Sequence, residues 1–118
     1  SDYVVVLANM LDIRVPQQAA GDVAGLCIQM LSNWALFALK ANALHDVVAV
    51  ASAALRLGPY SKASFRLAKA LILLGEADLA AKALQGVPPK ERGELPHAVD
   101  QHRLWAASDH LWVEDVGP

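Results

Sequence analysis

Three positively charged side chains fall at helical spacing just after the midpoint of the chain. Lys62, Arg66 and Lys69 are four and three residues apart, so in a helix they lie within a stripe of about 60°. Lysine offers a compact charge and arginine a planar fork of donors, and both suit a carboxylate. The spacing therefore predicts a surface that binds an acidic peptide. A solvated helix face is the alternative interpretation.

Aromatic side chains lie close to these cations in the sequence. Phe65 belongs to the same segment as the cations, and Phe37 lies in an earlier predicted helix. Charge-assisted hydrogen bonds alone give weak binding, because ordering a peptide costs free energy. We therefore expect Phe65 and Phe37 to line a pocket for the aliphatic side chains of the ligand.

Two stretches of the chain align with each other at a spacing of 33 residues. Ala35 and Ala68 occupy equivalent positions, as do Val47 and Ala80. A repeat of this length, built as a pair of helices, is typical of helical repeat proteins, whose stacked helix pairs form a concave groove. The repeat predicts that the cations lie in such a groove.

Hydrophobic periodicity predicts helices over residues 2–14, 23–41, 46–57, 62–74 and 76–86, and a last helix after Pro96. Asp22 and Ser61 are placed to cap two of these helices, and Gly75 to end one. The helix over 23–41 is apolar nearly all round, so we expect it at the centre, with Trp34 in the core. We expect Leu79 to face inward.

Composition limits the function classes. The chain has 118 residues, 55% of them hydrophobic, and a mean hydropathy of +0.31, which suits one folded domain and excludes a disordered chain. A net charge of −2 argues against nucleic-acid binding. We see no apolar run of roughly 18 residues, the length of a membrane span. A single cysteine, Cys27, excludes an internal disulfide and favours a cytoplasmic or nuclear location.

Motifs for catalysis are not evident in the sequence. We find no nucleophile elbow, phosphate loop or zinc-protease motif, so we expect neither an enzyme nor a cofactor. His110 and Glu114 are four residues apart, but zinc needs three or four ligands. We therefore expect no metal, and interpret the histidines as surface or helix-cap residues.

Residues 24–88 resemble the second and third repeats of a tetratricopeptide repeat (TPR) domain. The resemblance rests on segments 33–40 and 61–70, which are similar to the first helices of those repeats in large immunophilins and related heat-shock co-chaperones. It implies an all-α fold of antiparallel helix pairs, stacked as a short right-handed superhelix of about six helices including a C-terminal capping helix. The implied parts of this single domain are a truncated first repeat and loop (1–22), a second repeat (23–59), a third repeat (60–89), and a linker, capping helix and acidic tail (90–118).

The resemblance also implies a ligand. In that family, a carboxylate clamp grips the C-terminal Glu-Glu-Val-Asp tail of a heat-shock chaperone. The matching residues of this chain are Asn33, Lys62 and Arg66. Lys69 and Lys40 would widen the basic surface. The resemblance thus predicts a co-chaperone-like module for protein–protein interaction.

This sequence departs from the family at its start. Residues 1–3 resemble the turn into the second helix of the first repeat, so the two clamp residues of the first helix have no counterpart. One alternative is a structural scaffold or docking domain whose groove binds a helix. Such a domain could also associate with a second copy, through the truncated N-terminal face or through Trp105 and Trp112. Another is an accessory domain of an enzyme, with the acidic tail at Glu114 and Asp115 entering the basic groove.

Overall fold

A computed structural model describes residues 20–104 of the chain. Its helices are α1 (Ala20–Lys40), α2 (Leu44–Leu57), α3 (Ser61–Leu73) and α4 (Ala77–Leu84), then a 3₁₀ helix (Pro89–Glu91) and α5 over residues 95–104. No strand occurs between residues 20 and 104, so the all-α prediction is confirmed. The predicted helix over 2–14 lies outside the described residues, as do Trp105, Trp112, His110 and the acidic tail.

The two predicted helix caps, Asp22 and Ser61, are wrong. α1 begins at Ala20 rather than residue 23, so Asp22 lies inside the first turn, where a carboxylate favourably meets the positive end of the helix dipole. Ser61 is the first residue of α3 and not its cap. Tyr60 occupies the cap position in an extended conformation and makes no side-chain capping bond.

Helices α1 and α3 end in the same way, 33 residues apart. After α1, Asn42 takes a left-handed φ of 58°, and the Ala43 N–H donates to the Ala38 carbonyl at 2.8 Å. After α3, Gly75 has a φ of 82°, and the next N–H donates to the Leu71 carbonyl at 2.8 Å. Both are Schellman motifs. The repeat seen in the sequence is thus present in the backbone, and the expected stop at Gly75 is confirmed.

Packing follows the order of the helices. Each helix from α1 to α4 packs against the next, and α1 also packs against α3. Connections of three residues join these helices, so consecutive helices run antiparallel. Contact between α1 and α3 places the first helices of the two pairs side by side. This arrangement is compatible with a small helical repeat fold, and it forms a surface shared by α1 and α3.

Small residues hold the first helix pair together. Ala35 and Ala38 of α1 are buried with Val47 and Ala51 of α2, and their size lets the two helix backbones approach closely. The second cluster has larger side chains. It joins α3, α4, the segment after α4 and α5, through Leu71, Ile72, Ala80, Leu84, Val87, Leu95 and Val99. Leu95 and Val99 are one helical turn apart, so one face of α5 covers this cluster.

One face of α1 is exposed, which corrects the expectation of a central helix. Leu26, Met30, Trp34 and Phe37 recur at helical spacing on this face, and Trp34 is 60% and Phe37 68% exposed. The prediction of Trp34 in the core is wrong, because the neighbours of α1 among the described helices cover only its other side. Leu79 of α4 is also exposed, contrary to expectation.

Helix α1 is long and apolar enough to cross a membrane, judged by length and composition alone. An 18-residue window within Asp22–Lys40 has a mean hydropathy of 1.3, with 22% of it buried. Polar residues such as Ser32 and Asn33 interrupt the apolar residues of this helix, so it contains no uninterrupted apolar run of that length, although the average over the window is apolar. A single helix of this kind is weak evidence for a span, since soluble proteins contain similar ones.

Candidate functional site

A pocket of about 330 Å³ opens between α1, α3 and the segment that follows α4. Leu36 and Leu39 of α1 form one apolar wall, Phe65 of α3 forms another, and Val87 contributes from beyond α4. The volume is at the lower end of the range for ligand pockets, which are mostly apolar with a few polar groups. Such a pocket is large enough for one or two apolar side chains of a ligand.

The polar part of the lining comes mainly from one helix. Ser61, Lys62, Arg66 and Lys69 all belong to α3, and their spacing places them on one side of it, as the sequence predicts. Lys62 and Lys69 are exposed, whereas Arg66 is partly buried. Glu91, at the end of the 3₁₀ helix, is the acidic member of the lining. The site therefore combines three cations, a hydroxyl and one carboxylate around an apolar interior.

Arg66 connects the pocket to the neighbouring helix. Its Nη1 donates to the main-chain carbonyl and to the hydroxyl of Ser32, at 2.7 Å in both cases. Ser32 is 1% exposed, so its acceptor groups have little access to water. Burial lowers the pKa of Arg66 from its ordinary value, and the nearby Tyr60 partly opposes this shift. These bonds fix the guanidinium at the wall of the pocket.

The chain after α4 is held firmly against the pocket. Val87 is 2% exposed, and its carbonyl accepts a hydrogen bond from Arg92 Nε at 2.8 Å. The preceding Gly86 lies so close to α3 that a Cβ on it would be 2.6 Å from Ser64 Oγ. Beyond this close approach, Val87 and Glu91 line the same pocket as the cations of α3.

The structure brings four of the seven predicted site residues together. Lys62, Phe65, Arg66 and Lys69 line the pocket. Asn33, Phe37 and Lys40 are exposed on α1 and do not line it, because the residues of α1 that face α3 are Ser32, Leu36 and Leu39. Whether these seven side chains bind a peptide stays a prediction.

Several residues of the site were not anticipated from the sequence. Leu36 and Leu39 lie four and seven residues after Ser32 on α1, a spacing that marks one helix face, but the apolar character of the whole helix hid it. Val87 and Glu91 reach the pocket by a return of the chain after α4, and no local pattern in the sequence signals that return.

The described part of the chain contains no candidate metal site. Between residues 20 and 104, no group of three or more His, Cys, Asp or Glu side chains is close enough to hold an ion. Cys27 is a partly buried free thiol on α1.

Comparisons with models of protein families, with curated proteins and with solved structures found no match for this chain.

Proposed function

We propose that this chain is a protein-interaction module that binds the C-terminal carboxylate of a peptide in the pocket between α1 and α3. The observation that carries the proposal is the meeting of Lys62, Arg66 and Lys69 with the apolar side chain of Phe65 in one pocket. The cations would hold the carboxylate, and the apolar walls would take the adjacent aliphatic side chain. The resemblance to TPR co-chaperones suggests the acidic tail of a heat-shock chaperone as the ligand.

The free energies of the individual contacts limit the affinity that we expect. A charge-assisted hydrogen bond contributes about 1.5–3 kcal/mol, and micromolar binding requires about 8 kcal/mol. Arg66 already donates to Ser32 from Nη1, so fewer of its donors remain for a ligand. Ordering a peptide also costs free energy. We therefore expect dissociation constants of roughly ten micromolar or weaker.

Calorimetric titration with a short peptide that ends in Glu-Glu-Val-Asp tests the proposal. The free acid should bind, and the same peptide with an amidated C-terminus should not, because amidation removes the charge that the cations would hold. Equal binding of both forms, or no binding of either, would overturn the proposal.

Matched variants locate the binding site. Lys62→Ala should weaken binding of the free acid by about tenfold, which corresponds to the loss of one charge-assisted contact. Lys82→Ala is the control, since Lys82 is an exposed lysine on α4 that does not line the pocket. If Lys82→Ala weakens binding as much as Lys62→Ala, the charge of the whole surface and not the pocket attracts the peptide.

A variant of Asn33 distinguishes the binding site implied by the TPR resemblance from a site limited to the pocket. The resemblance assigns Asn33 to the clamp, whereas it lies outside the pocket lining. Loss of affinity in Asn33→Ala would favour a ligand that runs over the exposed side of α1. Unchanged affinity would limit the site to the pocket itself.

The exposed face of α1 favours a second candidate function. Leu26, Met30, Trp34 and Phe37 form an apolar stripe on this helix, and contiguous exposed apolar surface often marks an interaction site. We propose as the alternative that the chain is a scaffold or oligomerisation domain that docks another helix there.

Sedimentation velocity tests the self-associating form of this alternative. The wild-type chain should form dimers as its concentration rises, and Met30→Ser with Phe37→Ser should remain monomeric. Leu79→Ser is the control, because Leu79 is an exposed leucine on a different helix. A wild-type chain that stays monomeric over the whole concentration range contradicts self-association.

A further inference from the structure

Glu91 is the acidic residue among the nine side chains that line the pocket within residues 20–104. It lies in the same lining as Lys62, Arg66 and Lys69, but it comes from a different part of the chain. Its place in the pocket was not anticipated from the sequence and belongs to none of the motifs that suggested carboxylate binding. The pocket thus presents an acceptor as well as donors to any ligand.

The backbone holds Glu91 in position. It is the last residue of the 3₁₀ helix Pro89–Glu91, and its N–H donates to the Pro88 carbonyl at 2.8 Å. Two consecutive prolines restrict the chain just before it. On the preceding side, Val87 is buried in the core that α3 and α4 share. The carboxylate is therefore attached to a well-anchored segment.

No ion pair joins Glu91 to any of the three pocket cations in the described part of the chain. Its charge is therefore not neutralised by direct contact, and a ligand meets it as a separate negative group. Lys62 and Lys69 are seven residues apart on α3, about 10 Å along the helix axis. An extended peptide covers that distance with about three residues. Because Glu91 shares its pocket with these cations, its carboxylate is placed to meet the residues next to the C-terminus of a peptide held there.

We propose that Glu91 determines the specificity of this pocket, favouring peptides in which the residue before the C-terminal one is basic or neutral over peptides in which it is acidic. This inference rests on the proposed carboxylate-binding function. The cations hold the terminal carboxylate, the apolar walls take an aliphatic side chain close to it, and Glu91 repels a second carboxylate or attracts a cation nearby. Like charges at close range act mainly on specificity in this way.

Two peptides that differ at one position test the proposal. Both carry an acetylated N-terminus and end in a free leucine, and the residue before the leucine is either lysine or glutamate. The wild-type chain should bind the lysine peptide more tightly, by about two- to fivefold, which is the range for partly exposed charge pairs. Glu91→Gln should bind the two peptides with nearly equal affinity, chiefly by gaining affinity for the glutamate peptide.

Glu94→Gln is the matched control, since Glu94 is an exposed acid three residues further along and does not line the pocket. It removes the same charge from the molecule and should keep the wild-type preference. A Glu91→Gln protein that keeps the preference overturns the inference while leaving the proposed function intact. If the wild-type chain binds the Glu-Glu-Val-Asp free acid but neither leucine peptide, this inference fails and the proposed function stands. If it binds none of the three peptides, both fail.

Discussion

The guanidinium of Arg66 on α3 donates from Nη1 to both the main-chain carbonyl and the hydroxyl of Ser32 on α1, at 2.7 Å each. These bonds join two helices that are not neighbours in the sequence. The same side chain also lines the candidate pocket. One side chain therefore contributes to the stacking of the helices and to the chemistry of the pocket, and its two roles can be separated by changing its partner.

Replacing Ser32 with alanine should lower the free energy of unfolding by about 1 kcal/mol. The change removes one acceptor of a charged donor, and the higher helix propensity of alanine offsets part of the loss. Urea denaturation measures the difference. Ser52→Ala, at a partly buried serine of α2, is the control and should not destabilise the protein. Equal stability of the Ser32→Ala and wild-type proteins would show that the carbonyl bond alone suffices.

Asn42 and Gly75 have a positive φ in the two Schellman motifs, and we expect opposite effects when each is replaced by the residue type of the other. Asn42→Gly should stabilise the protein by about 0.5–1 kcal/mol, and Gly75→Asn should destabilise it by a similar amount, because only glycine adopts a positive φ without a steric cost. A Cβ on Gly75 would meet nothing within 4 Å, so the backbone alone determines the effect. Thermal unfolding of both variants checks this. Shifts of the same sign in the two proteins would contradict it.

Gly86→Ala should destabilise the protein by about 1–3 kcal/mol, the usual cost of overpacking. The new methyl group would lie 2.6 Å from the Oγ and 3.2 Å from the Cβ of Ser64, and Ser64 is buried in α3. Gly25→Ala is the contrasting variant. Its Cβ meets nothing within 4 Å, and it should stabilise α1 by about 0.5–1 kcal/mol. Chemical denaturation of both proteins should show shifts of the midpoint in opposite directions. A Gly86→Ala protein as stable as the wild type would contradict the close approach of Gly86 to Ser64.

Salt should weaken peptide binding. Lys62 and Lys69 are exposed, so their attraction for a carboxylate is screened as the Debye length falls from about 10 Å at 0.1 M to about 3 Å at 1 M ionic strength. We expect the affinity for the free-acid peptide to fall by about tenfold over this range. Lys69→Ala should reduce the dependence on salt, whereas Lys40→Ala should not, since Lys40 lies outside the pocket. Titrations at several salt concentrations measure this dependence. An affinity that does not change with salt would contradict the electrostatic explanation.

The helices and the repeat could be predicted from the sequence because both follow from local patterns. Gly75 marks the end of α3, and the 33-residue spacing appears again in the two helix ends. The stripe of Lys62, Arg66 and Lys69 also follows from helical geometry alone, and the structure places all three in one pocket. These features require no knowledge of how the helices pack.

Features that depend on packing could not be predicted in the same way. Trp34 is apolar and lies on a helix, but periodicity does not say which face of an almost wholly apolar helix is covered. Asn33 and Ser32 are adjacent in the sequence but point about 100° apart on a helix, and the rotation of α1 about its axis decides which of them faces Arg66. Glu91 reaches the pocket after the chain has passed close to α3 at Gly86, a contact between segments about 20 residues apart.

The bond between Ser32 and Arg66 has a consequence for the speed of folding. It spans 34 residues, while the connections between α1, α2, α3 and α4 have three residues each. Proteins in which most contacts are local have low contact order and fold within microseconds to milliseconds. Helix pairing can begin at each short turn, and closing the segment between Ser32 and Arg66 is then the longest-range step in joining α1 to α3. Arg66, which lines the pocket, can thus form its bonds to Ser32 only when α1 and α3 have come together.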